Sequence, residues 1–428
     1  MTRLFPLLAT VLSLALSTAA SARTGLISNA STKAPIADAV LITSHQVVLR
    51  SNERGQFEWS DQDPVVAARA VGYRAVKVAN SNAIELTPFT PKALYLSHYG
   101  IGDRGLRGDA VELIEHTELN ALVIDFKGDR GLLPYHPAGA TAETFPWPHQ
   151  ATVGDLPGLI KELKAKGIYL IARIVVFKDD PLAHDHPELA VKTSTGNTWK
   201  DREDLAWVDP FQKAVWDYNI AIAENAAQLG FDEIQFDYVR FPDATQGPVF
   251  SEPSTADARV KAITGFLKTA YQRLTRYNVF VSADIFGYVC WNENDTGIGQ
   301  DLDALKGAVD ILAPMLYPSG FTWGIPGHAN PVAAPDKIVG LSLQRARQRT
   351  GLPGVAFRPW LQAFRDYAFD HREFGAEQIK AQIDAAQAAG SDGWMLWNAR
   401  NRYSAEGLHT PQAAATTPAA SAPASATP

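Results

Sequence analysis

The stretch Gly230-Phe-Asp-Glu-Ile-Gln-Phe-Asp237-Tyr-Val-Arg240-Phe-Pro242 decides the fold. It opens on glycine after a long alanine-rich helical pattern, runs through apolar and aromatic residues, and stops at proline. That is the form of a buried strand followed by a loop, with Asp237 near the strand's C-terminal end. A carboxylate inside such a strand is costly unless it is paired or opens onto a mouth. In a barrel of parallel strands, the C-terminal mouth is where active sites are built. The competing reading is a structural ion pair of Asp237 with Arg240 or Arg173.

Outward from that strand, the same rhythm recurs. Candidate strands are Ala93–Tyr99, Ala121–Phe126, Ile168–Val176, Glu233–Val239, Val279–Ile285, Ile311–Tyr317, Phe357–Ala363 and Gly393–Trp397. Helical patterns at Asp155–Lys166, Phe211–Leu229, Thr255–Tyr277, Asp336–Arg349 and Ala376–Ala389 lie between them. This alternation predicts a (β/α)8 TIM barrel over residues 92–403. A doubly wound sheet would carry a glycine-rich phosphate turn after its first strand, and Ser97-His-Tyr-Gly-Ile-Gly-Asp103 lacks that form.

Before the barrel, residues 24–88 read as a small all-β sandwich, with short strand patterns such as Val40-Leu-Ile-Thr, Gln56-Phe-Glu-Trp and Val65-Val-Ala-Ala-Arg. Thr87-Pro-Phe-Thr-Pro91 is the expected linker. Residues 1–22 have the features of a signal peptide: Arg3, an apolar run from Leu4 to Leu16, and the small residues Ala20-Ser21-Ala22. The run is too short to span a membrane. Residues 408–428 hold Ala, Thr, Pro and Ser in an order that predicts a disordered tail.

The 428 residues carry a net charge of −7 without a basic cluster, which argues against a nucleic-acid partner. Cys290 is the single cysteine, so no internal disulfide or cysteine-based metal site is expected. An exported, disulfide-free chain of this kind points to a bacterial periplasmic or secreted protein. His184 and His186 near Asp179, Asp180 and Asp185 lie in a segment read as a loop, without a third histidine at metal-ligand spacing. No metal or cofactor is expected.

If the barrel holds, strand ends share one mouth. It would collect Asp125 and Lys127, Arg173, Asp237 and Arg240, Asp284, Tyr317, Trp360, and Trp397 with Asn398. Aromatic rings stack on the apolar faces of sugars, while charged and amide groups hold the hydroxyls. Glycoside cleavage needs two carboxyl groups with unequal protonation. Asp237 and Asp284 fall at matching depth on adjacent strands, about 4.8 Å apart in the sheet direction. Such a close pair predicts retention of configuration. Asp125 is as well explained by a structural pair with Lys127.

The string Phe236-Asp-Tyr-Val-Arg-Phe-Pro242, with Lys92-Ala-Leu-Tyr-Leu-Ser, Asn120-Ala-Leu-Val-Ile-Asp-Phe-Lys127 and Ser282-Ala-Asp-Ile-Phe-Gly287, resembles the glycoside hydrolase family of domain-of-unknown-function 4015. The resemblance spans residues 92–403 and implies a glycosidase-type barrel distantly related to the amylase-like group. It implies Asp237 as nucleophile and Asp284 as proton donor. The amylase-like pattern carries Glu at the second position and Arg two residues before the nucleophile; here Asp284 and Gln235 stand there. The N-terminal segment is similar to carboxypeptidase regulatory-like modules, on Gly25-Leu-Ile-Ser, Asn52-Glu-Arg-Gly-Gln-Phe57 and Ala70-Val-Gly-Tyr73. The expectation is a retaining glycoside hydrolase acting on an envelope or extracellular polysaccharide. Asp125, Lys127, Arg173, Arg240, Tyr317, Trp360, Trp397 and Asn398 would bind substrate. The alternative is a barrel that binds carbohydrate without cleaving it.

Overall fold

In a computed structural model of the chain, residues 22–79, 81–137, 146–244 and 247–410 are described. The expected signal peptide, apart from Ala22, and nearly all of the expected tail lie outside them. Seven short strands come first: β1 (Ala22–Asn29), β2 (Val40–Thr43), β3 (Val48–Arg50), β4 (Gln56–Ser60), β5 (Val65–Arg69), β6 (Val76–Lys77) and β7 (Ala83–Leu86). They form a three-stranded sheet in the order β4-β1-β7 and a four-stranded sheet in the order β3-β2-β5-β6. Alternation along β4 and β7 sends Phe57, Trp59, Ile84 and Leu86 into a core shared with Ile27, Leu41 and Val65.

Eight parallel strands then close into a barrel: β8 (Lys92–Leu96), β9 (Ala121–Lys127), β10 (Tyr169–Val175), β11 (Glu233–Asp237), β12 (Phe280–Phe286), β13 (Ile311–Met315), β14 (Trp360–Gln362) and β15 (Trp394–Trp397). Each corresponds to a strand expected from the sequence. The five expected helices form at Leu156–Ala165, Lys213–Leu229, Ala256–Leu274, Pro335–Thr350 and Ala376–Ala388. Gly230 ends the second of them at a φ of 104°, a left-handed conformation that lets the chain turn directly into β11. The segment around Pro181 is a short helix, Asp180–Asp185, rather than the expected loop. The Asp179 side chain caps it, and proline in a first turn sacrifices no helical hydrogen bond.

The pleat divides the barrel strands into two faces. Leu94, Leu122, Leu170, Ile234, Phe236 and Val281 pack outward against the helices. Ala93, Val123, Ile171, Ala313 and Met395 fill the interior. Below this apolar layer lies a buried polar one. Arg358 donates to both oxygens of Glu233 at 2.8 and 2.7 Å and also to Asp392, while Tyr169 and Ser282 add hydroxyl donors to Glu233.

The N-terminal strands close the bottom of this barrel. Val71, Ala75 and Phe89 pack on the interior cluster, and the Phe89 ring lies 5.4 Å from Tyr169. The expected linker is therefore held rather than free: Phe89 N–H donates to Gly72 O, and the Arg74 guanidinium lies 3.8 Å over the Phe89 ring. Arg69, 1% exposed, pairs with Asp310 at 3.0 Å and lies 5.0 Å over Phe280. Removing one member of a buried pair leaves the other uncompensated, at about 3–5 kcal/mol. Arg69→Ala is expected to lower unfolding free energy by about that amount in urea titrations. A loss below about 1 kcal/mol would show that the pair does not fasten the two parts together.

Candidate active site

The inward positions at the C-terminal ends of the strands carry charge. Arg173, on β10, sits at the centre and is 1% exposed. Its Nη1 donates to Asp125 Oδ1 at 2.6 Å, and its Nε and Nη2 donate to Asp237 Oδ2 at 2.9 and 2.6 Å. Nη2 also reaches Asp129 Oδ1 at 2.9 Å. One guanidinium thus binds carboxylates from both neighbouring strands and from the loop after β9. That loop turns at Gly131, whose φ of 72° and contact with the Asp179 side chain leave no room for a Cβ.

Arg173 was expected to bind substrate, but its three nitrogens are all occupied by carboxylates. It organises the mouth instead. It also supplies the cation missing from position 235, reaching Asp237 from the neighbouring strand. Asp125 is not paired with Lys127. Its Oδ1 takes Arg173, and its Oδ2 takes the Tyr95 hydroxyl at 2.7 Å and the His98 N–H at 3.3 Å. Burial raises the Asp125 carboxyl to about 6 against the opposing pull of Arg173.

Asp237 accepts a third N–H, from Tyr238, at 2.6 Å. Tyr238 has a φ of 48°, a left-handed conformation that costs an ordinary residue roughly 1–2 kcal/mol. The turn after β11 is therefore strained where it meets the site. On the adjacent strand, Asp284 is 1% exposed. Its Oδ1 accepts the Trp360 indole N–H at 2.7 Å, and its Oδ2 is buried without a hydrogen-bond partner among the described residues. Burial, and then the Asp237 charge, push this carboxyl well above the ordinary aspartate range.

The remaining expected site residues divide. Trp360 is buried and serves Asp284 through its indole nitrogen, so it offers no stacking face. Trp397 is half-buried, with Tyr95 stacked at 3.9 Å on one side. Tyr317 is half-buried, and its hydroxyl is pushed up by burial and by Asp284 and Asp237. Asn398 ties its own loop to Ala363 O and Arg402 O. Arg240 lies over Trp207 and Tyr238, beside the mouth. Lys127 is not at the mouth: it is fully buried, held by Asp179 at 2.5 Å and by Asn219 of helix Lys213–Leu229 at 2.7 Å. The register explains this. Arg173 stands opposite Asp125 but Ile174 opposite Lys127, so β9 skips a residue and Lys127 leaves the inward face.

A cavity of about 540 Å³ opens at the mouth beside Phe364, Trp397 and Asn398, and two others lie across the barrel axis from each other. One, of about 240 Å³, is lined by Tyr95, His98, Asp125, Asp129 and Trp397. The other, of about 350 Å³, is lined by Arg240, Asp243, Phe286, Tyr288, Asn292 and Trp323. Asp237 and Asp284 line none of the three. Tyr95, Asp129 and Trp323 were not expected as site residues. Asp129 had a signal, since it follows a strand end by two residues; Trp323 lies in a long loop and had none.

A native carboxyl raised above ~3.9 means that the folded protein holds a proton the unfolded chain has released. Asp284 therefore costs stability progressively as pH rises above that value. Asp284→Asn removes the cost, so its stability should match wild type near about pH 4 and exceed it at neutral pH. A variant less stable than wild type at neutral pH would overturn this account of the burial.

The family described as "Putative glycosyl hydrolase domain" matches residues 93–403, the whole barrel. No curated protein matches the chain. Among solved structures, the PgaB (BpsB) glycoside hydrolase domain from Bordetella bronchiseptica is 16% identical, with a TM-score of 0.53 over 73% of this chain and 95% of that one. That likeness is one of fold. A hypothetical protein from Ruminiclostridium thermocellum ATCC 27405 is 35% identical, covering 45% of this chain and 96% of its own, with a TM-score of 0.40. A class V chitinase from Pseudomonas fluorescens Pf-5 is 15% identical over 74% of this chain and 97% of its own, with a TM-score of 0.45.

Proposed function

The chain belongs to this glycosyl hydrolase domain family, and we propose that it is a retaining glycoside hydrolase using Asp237 as nucleophile and Asp284 as acid/base. The observation that carries the reading is the unequal surroundings of two carboxyls on adjacent strands. Asp237 accepts three N–H donors, two of them from Arg173. Asp284 is buried beside it with one oxygen unpartnered and its proton favoured. One carboxyl gripped by N–H donors and a neighbour whose proton is favoured by burial suit the nucleophile and the acid of a displacement.

In the first step an Asp237 oxygen bonds to the anomeric carbon while the bond to the leaving oxygen breaks. Asp284 gives that oxygen its proton. Asp284, now ionised, takes a proton from water, whose oxygen displaces Asp237 and restores both groups. Arg173 holds Asp237 in place, and Asp125 and Asp129 fix Arg173 in turn. The substrate would be an envelope or extracellular polysaccharide, in keeping with the leader expected at residues 1–22. Among the described residues no helix is long and apolar enough to cross a membrane.

One observation favours the second reading, a barrel that binds glycan without cleaving it. Asp284 is almost wholly covered, and neither member of the pair lines a cavity. Mutant kinetics separate the two. Asp237→Asn should abolish turnover on every substrate. Asp284→Asn should lose roughly 10²–10⁴-fold on sugars with poor leaving groups, yet retain activity on nitrophenyl glycosides. Azide should then accelerate that variant and give a glycosyl azide of retained configuration. Unaltered turnover in Asp237→Asn would remove the proposed nucleophile, and no hydrolysis by wild type across a glycan panel would favour binding alone.

A further inference from the structure

Two of the mouth cavities lie on opposite sides of the barrel axis. The first draws on β15, β8 and β9 and is centred on β8. The second draws on the loops after β11, β12 and β13 and is centred on β12. In the closed order, three strands separate β8 from β12 in either direction. The Arg173 cluster and Asp284, which reach β9, β11 and β14 through their hydrogen bonds, fill the space between.

The second cavity has a built aromatic wall. Trp323 is 90% exposed, yet its backbone is fixed. Its N–H donates to the Tyr288 hydroxyl at 2.9 Å, and that hydroxyl donates to Gly324 O at 3.2 Å. Gly324 adopts a φ of 68° with His328 O where a Cβ would sit, so the turn is closed against other residues. The Tyr288 ring packs 4.8 Å from Phe321, beneath the same turn. An indole at the edge of a cavity, on a turn whose backbone is fixed, presents an aromatic face that a sugar ring in the cavity can stack on. Beside it stand Arg240, Asp243 and Asn292, which offer a cation, an anion and an amide. That mixture suits the hydroxyls of an uncharged sugar better than a single ionic group.

We propose that this cavity is a distal saccharide subsite with Trp323 as its stacking platform. A sugar chain would run from the first cavity across the carboxylate pair to Trp323, so that cleavage falls inside a polysaccharide rather than at its end. The inference rests on the glycosidase reading and adds direction and length to it.

The test compares wild type, Trp323→Ala and Trp323→Phe on cello-, malto- and chito-hexaose and on the corresponding nitrophenyl monosaccharides. Trp323→Ala should lower the ratio of kcat/KM for the hexaose to that for the monosaccharide by on the order of tenfold. Trp323→Phe should restore most of it, because it returns a ring to the platform. Wild type should release internal fragments from the start of the reaction. An unchanged ratio in Trp323→Ala, or release of single terminal units only, overturns the subsite while leaving hydrolysis intact. If wild type hydrolyses none of these sugars, hexaose binding to Asp237→Asn, followed by tryptophan fluorescence, decides separately. Binding weakened by Trp323→Ala in that background supports the subsite, and equal or absent binding overturns it.

Discussion

A single buried guanidinium holds the mouth of this barrel together. Arg173 is almost wholly buried and meets three carboxylates, from β9, from the loop after β9 and from β11. Burying a cation is costly, and only close, well-directed anions offset it. The carboxylates are equally bound: without Arg173, Asp125 and Asp237 would face one another as like charges in a low-dielectric interior. The cluster is therefore one unit, and it fixes where any reacting sugar could lie.

The same logic recurs at the other end. Arg358, Glu233 and Asp392 form a second buried network, with the Tyr169 and Ser282 hydroxyls donating to Glu233. An apolar layer separates the two networks, although the Glu233 charge still reaches Asp284 through it. The N-terminal strands cover the lower network from below through Phe89 and the Arg69–Asp310 pair. They close the end of the barrel opposite the mouth. We regard them as a packing module joined by a docked segment.

Asp284 owes its character to its neighbours. Nothing in its own strand explains a carboxyl raised above the ordinary aspartate range. Burial and the nearby charge of Asp237 favour the proton, against the Arg173 charge and the Trp360 N–H, which favour the ionised form. A carboxyl whose proton is favoured, beside one gripped by arginine, is the asymmetry that acid-assisted displacement uses. The aromatic residues divide along similar lines, since Trp360 is spent on Asp284 while Trp397 and Trp323 keep an exposed edge or face.

Strand positions and the inward placement of Asp125, Arg173, Asp237 and Asp284 were legible in the sequence. They follow from a local rule: alternation along each strand sends every second residue inward, and Glu233, Gln235 and Asp237 obey it within five residues. A helix stands at Asp180–Asp185 where a loop is expected, because Pro181 falls in a first turn, where proline is tolerated. Pairing was not legible. Asp125 and Lys127 look like partners because they lie two residues apart, yet a skipped residue in β9 sends them to opposite sides of the wall. Arg173 finds Asp237 sixty-four residues away, and Trp360 finds Asp284 at seventy-six. Spacing along a chain carries no information about such contacts, because barrel closure alone brings those strand ends together. Alternation along each strand determined which residues face inward wherever the strand is regular; the tertiary structure decided the bulge that turns Lys127 away and which charge each inward residue meets.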